Sequence, residues 1–166
     1  MVDAELYRLA ERVGDALQAR GMMIATAESC TGGWVAQALT MVPGSSHWFE
    51  RGFVTYTYIS KREMLNVKAE TLGTHGAVSE ATVREMVQGA LAASHAQIAL
   101  AVSGTAGPGG GTLEKPVGTV CFAWGTKDGR LWSETRHFTG DREAVRRQSV
   151  RRALEGVLQV LENTAE

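Results

Sequence analysis

Apolar residues recur at helical spacing over residues 4–19, where Leu6, Leu9, Ala10, Val13 and Leu17 form one stripe and Gly21 follows as a stop. The pattern then changes. Met22 to Ala27 is a short apolar run of strand length that ends in the polar stretch Glu28-Ser29-Cys30-Thr31-Gly32-Gly33. Trp34, Val35, Ala38 and Leu39 return to helical spacing, and Val42-Pro43-Gly44-Ser45-Ser46 breaks the chain. Phe53 to Ile59, aromatic and β-branched, predicts a strand with Tyr56 and Tyr58 on one face. Ser60 is placed to cap a helix beginning at Lys61, and Ser79 to cap another whose inward stripe is Val83, Met86, Val87, Ala90 and Leu91. Ile98 to Ser103 reads as a second apolar strand, and Gly104 to Pro116 follows as a long loop without periodicity. Val117 to Trp124 and Leu131 to Phe138 predict a hairpin turning at Asp128-Gly129. A last helix, from about Asp141 to Leu161, turns Val145, Ala153, Leu154, Val157, Leu158 and Leu161 inward. Helices alternating with strands, plus one hairpin, predict an α/β domain over residues 1–166, with a mixed sheet covered by helices on both faces.

Composition adds exclusions. With 166 residues, 44% hydrophobic and 21% charged, the chain matches one soluble globular domain. A formal net charge of −1 supplies no overall field toward nucleic acid or an anionic membrane. No segment approaches the roughly 18 consecutive apolar residues of a membrane span, and the first twenty residues lack the basic start of a secretory leader. Two cysteines, Cys30 and Cys121, make no disulfide framework and no paired metal-ligand spacing, which suits a reducing, cytoplasmic setting. No carboxylate or histidine cluster suggests a metal site. The unusual feature is glycine, 19 residues, several of them grouped at Gly32–Gly33 and between Gly104 and Gly118.

Four stretches carry candidate chemistry. In Thr26 to Gly33 a hydroxyl or thiol stands between a strand and a helix, where opening helix amides are available to an oxyanion. The same residues also read as a simple cap by Ser29 or Thr31, which physics alone favours. Gly-x-Ser-x-Gly is absent. Tyr56 with Lys61 forms the second stretch. A buried lysine becomes a base if its pKa falls from about 10.4 toward 7–8, whereas the ordinary fate is a solvated lysine and a core tyrosine. The third, Ser103 to Gly118, is either an anion-binding nest or a mobile lid, and it matches neither a P-loop nor Gly-x-Gly-x-x-Gly. The fourth holds Arg142, Arg146, Arg147 and Arg151. Arg142 at a helix start opposes the dipole and suits an anionic ligand, while Arg147 and Arg151 read as a salt-bridging face.

Taken together, these stretches resemble one family, the C-terminal domain of the competence/damage-inducible protein CinA, from about Ala4 to Leu161. The carriers are Ala27 to Gly33, Val42 to Ser46, Val54-Thr55-Tyr56 with Lys61, Gly76-Ala77-Val78-Ser79-Glu80, Gly107 to Thr112, Lys115-Pro116-Val117-Gly118-Thr119 and Gly140-Asp141-Arg142. The resemblance implies a three-layer α/β/α fold with a mixed sheet of about five to six strands. It implies an amidase that converts nicotinamide mononucleotide to nicotinate mononucleotide and ammonia in pyridine nucleotide salvage, without metal or organic cofactor, acting as a homo-oligomer. By matched positions Ser29 is the nucleophile, Lys61 its base and Tyr56 the assisting group. Cys30, Thr31, Gly32, Gly44, Ser46, Ser103, Gly104 and Arg142 then surround the substrate, with Arg142 at its phosphate. Ser103-Gly104-Thr105 departs from the family pattern, which usually has threonine first and an aliphatic residue third; the hydroxyl is kept. Longer members carry an upstream domain whose activity is not expected here. Two rivals remain at this stage: Cys30 as the nucleophile, and a non-catalytic nucleotide-binding or scaffold module.

Overall fold

A computed structural model describes residues 2–163. Five strands, β1 (Ile24–Glu28), β2 (Phe49–Val54), β3 (Ile98–Gly104), β4 (Thr119–Thr126) and β5 (Leu131–His137), pair in the order β2-β1-β3-β4-β5. β2, β1 and β3 run parallel and β4 and β5 antiparallel, so the sheet is mixed, as expected. Helices α1 (Ala4–Ala19), α2 (Trp34–Thr40) and α6 (Arg142–Asn163) cover one face, and α3 (Tyr58–Leu65), α4 (Ala69–His75) and α5 (Glu80–Ala92) the other.

Strand alternation sorts side chains by size between the two faces. Ile24, Ile98, Leu100, Val102, Val120, Phe122 and Trp124 point at α1, α2 and α6 and build the larger core. Ala25, Ala27, Ala99, Ala101, Cys121 and Ala123 point at α5, whose Val83, Met86, Val87 and Ala90 pack directly on this small-residue surface. The stripes read from periodicity in α1, α5 and α6 are inward, with Leu91 and Leu158 only partly buried. No described helix is long and apolar enough to cross a membrane.

Three expectations are corrected. The strand expected over Phe53–Ile59 lies earlier, at Phe49–Val54, because Thr57 and Ser60 form a reciprocal capping box that starts α3 at Tyr58. Thr57, not Ser60, is therefore the cap, and local capping overrides the β preference of Tyr56 and Tyr58. The hairpin begins at Thr119 rather than Val117, while its turn at Asp128-Gly129 is as expected. α4 carries no clear apolar stripe and was not anticipated; it buries only Leu72.

Gly89 sets how closely α3 approaches α5. A Cβ there would lie 1.9 Å from the backbone oxygen of Leu65, the last residue of α3. Gly89→Ala is expected to destabilise the protein by about 1–3 kcal/mol. Calorimetry should show a melting temperature lower by several degrees, and an unchanged one would mean that α3 moves freely.

Candidate active site

Parallel pairing puts the carboxyl ends of β1 and β3 side by side, and both emit candidate residues at the same edge. β1 ends at Glu28 and runs into Ser29, while β3 ends in Ser103 and Gly104. Neighbouring β2 ends at Val54, opposite Glu28, and its continuation Thr55 donates its amide to the Glu28 carbonyl at 2.8 Å. α3 starts three residues after Thr55, so its first turn brings Lys61 back under the strand ends.

There Lys61 is buried, with 1% of its surface exposed. Its Nζ lies 2.9 Å from Ser29 Oγ and 2.7 Å from the Thr55 carbonyl oxygen. In both contacts the amine is the donor, and only on losing a proton does it gain a lone pair able to accept from the serine hydroxyl. Burial disfavours the charged form and lowers the Lys61 pKa to about 8, opposed by the nearby Cys30. The pairing of residues 32 apart in sequence is thus present in the fold.

Glu28 governs the turn that carries Ser29. Its carboxylate is 1% exposed and accepts from Thr31 Oγ1 at 2.5 Å, Val35 N at 2.9 Å, Gly33 N at 3.2 Å and Ala36 N at 3.0 Å. Neither Ser29 nor Thr31 caps α2, and the amides that open this helix are already occupied. The Gly32 amide is spent on the Ser29 carbonyl. Cys30 and Thr31 keep amides without an assigned acceptor in the protein. From α6, Arg146 donates to the carbonyls of Cys30 (3.0 Å) and Thr31 (3.1 Å) and stacks on Trp34. Sequence reasoning overlooked both Glu28 and Arg146; an acidic residue just before the polar turn was the available signal for Glu28.

A cavity of about 250 Å³ opens above Ser29. Cys30, Lys61, Tyr56, Ser103, Gly104 and Arg142 line it. Tyr58, Ala77 and Val78 line it as well and were not foreseen as site residues. Ser103 is almost fully buried in β3 and its hydroxyl has no partner assigned in the protein. Gly104 has a packing reason of its own, since a Cβ would meet Val120 at 2.7 Å. Arg142 bridges the rim, donating to the Gly107 carbonyl at 2.8 Å and to the Tyr56 hydroxyl at 2.9 Å.

Other placements differ from expectation. Tyr56 is 58% exposed and its hydroxyl is bonded to Arg142, not to Lys61 or Ser29, so it is a rim residue. Thr31 is buried as a donor to Glu28, and Gly32 faces Arg146; neither lines the cavity. Gly44 and Ser46 are further away. They sit in the short turn around Ser45–His47 that leads into β2, and Ile24 at the start of β1 bonds to Trp48 just after that turn. Parallel strands place these lead-ins at the opposite sheet edge from Ser29, a full strand length away.

The surroundings of Cys30 disfavour its thiolate. Burial, with the Glu28 charge adding to it, pushes the thiol up to about 12. Among the described residues no group of three or more His, Cys, Asp or Glu side chains gathers to hold a metal. Arg147 pairs with Asp3 and Glu5, and Arg151 with Glu5 and Glu155, forming the salt-bridging face expected of them.

The chain is similar to known proteins over nearly its whole length. The profile of the CinA C-terminal domain matches residues 6–161. The chain is 55% identical to the nicotinamide-nucleotide amidohydrolase PncC of Escherichia coli (strain K12), covering 99% of this chain and 100% of the relative. It is 56% identical to the PncC of Pseudomonas putida, covering 92% and 94%. The crystal structure of competence/damage inducible protein CihA from Agrobacterium tumefaciens superimposes with a TM-score of 0.93 at 46% identity, covering 98% of both chains.

A lysine buried with a lowered pKa also marks stability. The unfolded lysine holds its proton up to about pH 10.5, whereas the folded one releases it near 8, so stability rises with pH between those values. Below pH 8 the folded state bears the full penalty, on the order of 3 kcal/mol. Lys61→Met should raise the denaturation midpoint at pH 7 and flatten its dependence between pH 8 and 10.5. A variant that keeps the wild-type pH dependence would place the buried titration elsewhere.

Proposed function

The chain belongs to the CinA C-terminal domain family, and from that premise we propose that it hydrolyses the carboxamide of nicotinamide mononucleotide to nicotinate mononucleotide and ammonia. The observation that carries this reading is the 2.9 Å contact between Lys61 Nζ and Ser29 Oγ inside a cavity. Neutral Lys61 takes the serine proton as Oγ attacks the amide carbon. The Thr55 carbonyl keeps the amine aimed and stabilises the ammonium that forms. The Cys30 amide, at the cavity wall beside Ser29, is assigned to the developing oxyanion. Lys61 then returns its proton to the departing nitrogen, ammonia leaves, and the same amine activates the water that hydrolyses the acyl-serine.

The remaining side chains divide recognition. Ser103 brings an uncommitted hydroxyl to the cavity wall, placed to bond the carboxamide. Tyr56 and Tyr58 offer flat apolar surface at the mouth for the pyridinium ring and ribose. Arg142 engages two partners and has further donors for the phosphate. The reading places the enzyme in pyridine nucleotide salvage, with a small-molecule partner and association between copies of the chain.

Ammonia release from nicotinamide mononucleotide is the direct assay. Ser29→Ala and Lys61→Met should each lower kcat/KM by at least about 10⁴-fold with the fold retained. In the wild type kcat should increase as pH rises through about 8, where Lys61 loses its proton. Cys30→Ala should keep most of the turnover, as a serine enzyme requires. Substantial ammonia release by Ser29→Ala would end the assignment.

Arg142→Ala should raise KM for the mononucleotide more than it lowers kcat, because its contacts lie at the rim. Measuring both constants checks this; an unchanged KM would remove Arg142 from substrate binding.

A further inference from the structure

The nucleophile turn places two potential nucleophiles next to each other, and the fold treats them oppositely. Ser29 Oγ faces Lys61, whereas Cys30 packs into the core under α1, α2 and α6 while still touching the cavity. The two side chains leave the turn in different directions, so its conformation decides which of them meets the amine. What resists rotation is the Glu28 side chain, whose two oxygens accept four hydrogen bonds from Thr31, Gly33, Val35 and Ala36. Those donors extend from the turn itself into the first turn of α2, so one buried carboxylate ties the strand end, the turn and the helix together. The α2 cap, Gly33, is left-handed at φ 102 and offers no side chain for this purpose.

We propose that Glu28 is a positioning residue that selects Ser29 over Cys30 as the nucleophile, by locking the turn between β1 and α2. It acts in two ways. Its four contacts hold Ser29 within reach of the Lys61 amine. It also adds a negative charge beside Cys30, which reinforces burial in keeping the thiol protonated. Glu28 does not touch the reacting atoms.

Only the turnover half of the test rests on the amidase reading. Two variants separate contact from charge. Glu28→Gln removes the charge and presents an amide donor where the carboxylate accepts. Glu28→Asp keeps the charge on an arm too short for all four contacts. Iodoacetamide alkylation of Cys30 is followed against pH in a Cys121→Ala background. Its profile should move down by about one pH unit in Glu28→Gln and stay at the wild-type position in Glu28→Asp. With nicotinamide mononucleotide, kcat should fall about 10–100-fold in both variants while KM changes little.

An unmoved alkylation profile in Glu28→Gln, or wild-type kcat in either variant, overturns the proposal. If Glu28→Gln does not fold, Glu28→Asp decides alone: lowered kcat with an unmoved profile supports the role, and wild-type kcat removes it. Should the wild type release no ammonia, the amidase reading falls and the alkylation profiles still decide what Glu28 does.

Discussion

A lysine amine with 1% of its surface exposed is tolerated only where its neutral form is acceptable and its polar atoms are satisfied. The carbonyl of Thr55 and the hydroxyl of Ser29 satisfy Lys61, and the rest of the site is arranged to bring those two atoms to one point. β1 and β2 must be adjacent and parallel so that Glu28 and Thr55 emerge together. The chain must turn straight into a helix after Thr55, which the Thr57–Ser60 capping box provides. Burial that makes the amine a poor cation also makes it a base near neutral pH, so one physical constraint supplies both the strain on stability and the reactivity.

Around that pair, charge is divided with little overlap. The carboxylate of Glu28 takes the opening of α2, and the guanidinium of Arg146 takes the carbonyls on the other side of the same turn. The turn is therefore held from both polarities by groups that never reach the cavity. With the α2 amides occupied, the cationic side chain that lines the pocket beside Lys61 is Arg142, held at the rim by Gly107 and Tyr56. Burial acts on both neighbours toward the neutral form, raising the Cys30 thiol and lowering the Lys61 amine.

Packing explains why the second face of the sheet can bear this site. Alanines along β1 and β3 let α5 sit close, and Gly89 lets the end of α3 close upon α5. α3 thereby stays rigid enough to hold its lysine. At its start, Tyr56 and Tyr58 remain more than half exposed and line the mouth of the cavity.

Local pattern determined α1, α5 and α6, the Ser79 cap and the turn at Asp128-Gly129, because each depends on residues a few positions apart. Matched motifs pointed to Ser29, Lys61, Ser103 and Arg142, and these do converge. Tertiary structure decided what local pattern cannot encode. It moved β2 ahead of the tyrosines, gave the Tyr56 hydroxyl to an arginine 86 residues away, and carried Gly44 and Ser46 to the far sheet edge. It also gave the amides of α2 to Glu28 and set an amine against an alcohol 32 residues earlier. The reason is physical: spacing along the chain fixes which face a side chain takes, whereas strand order and direction fix which faces meet.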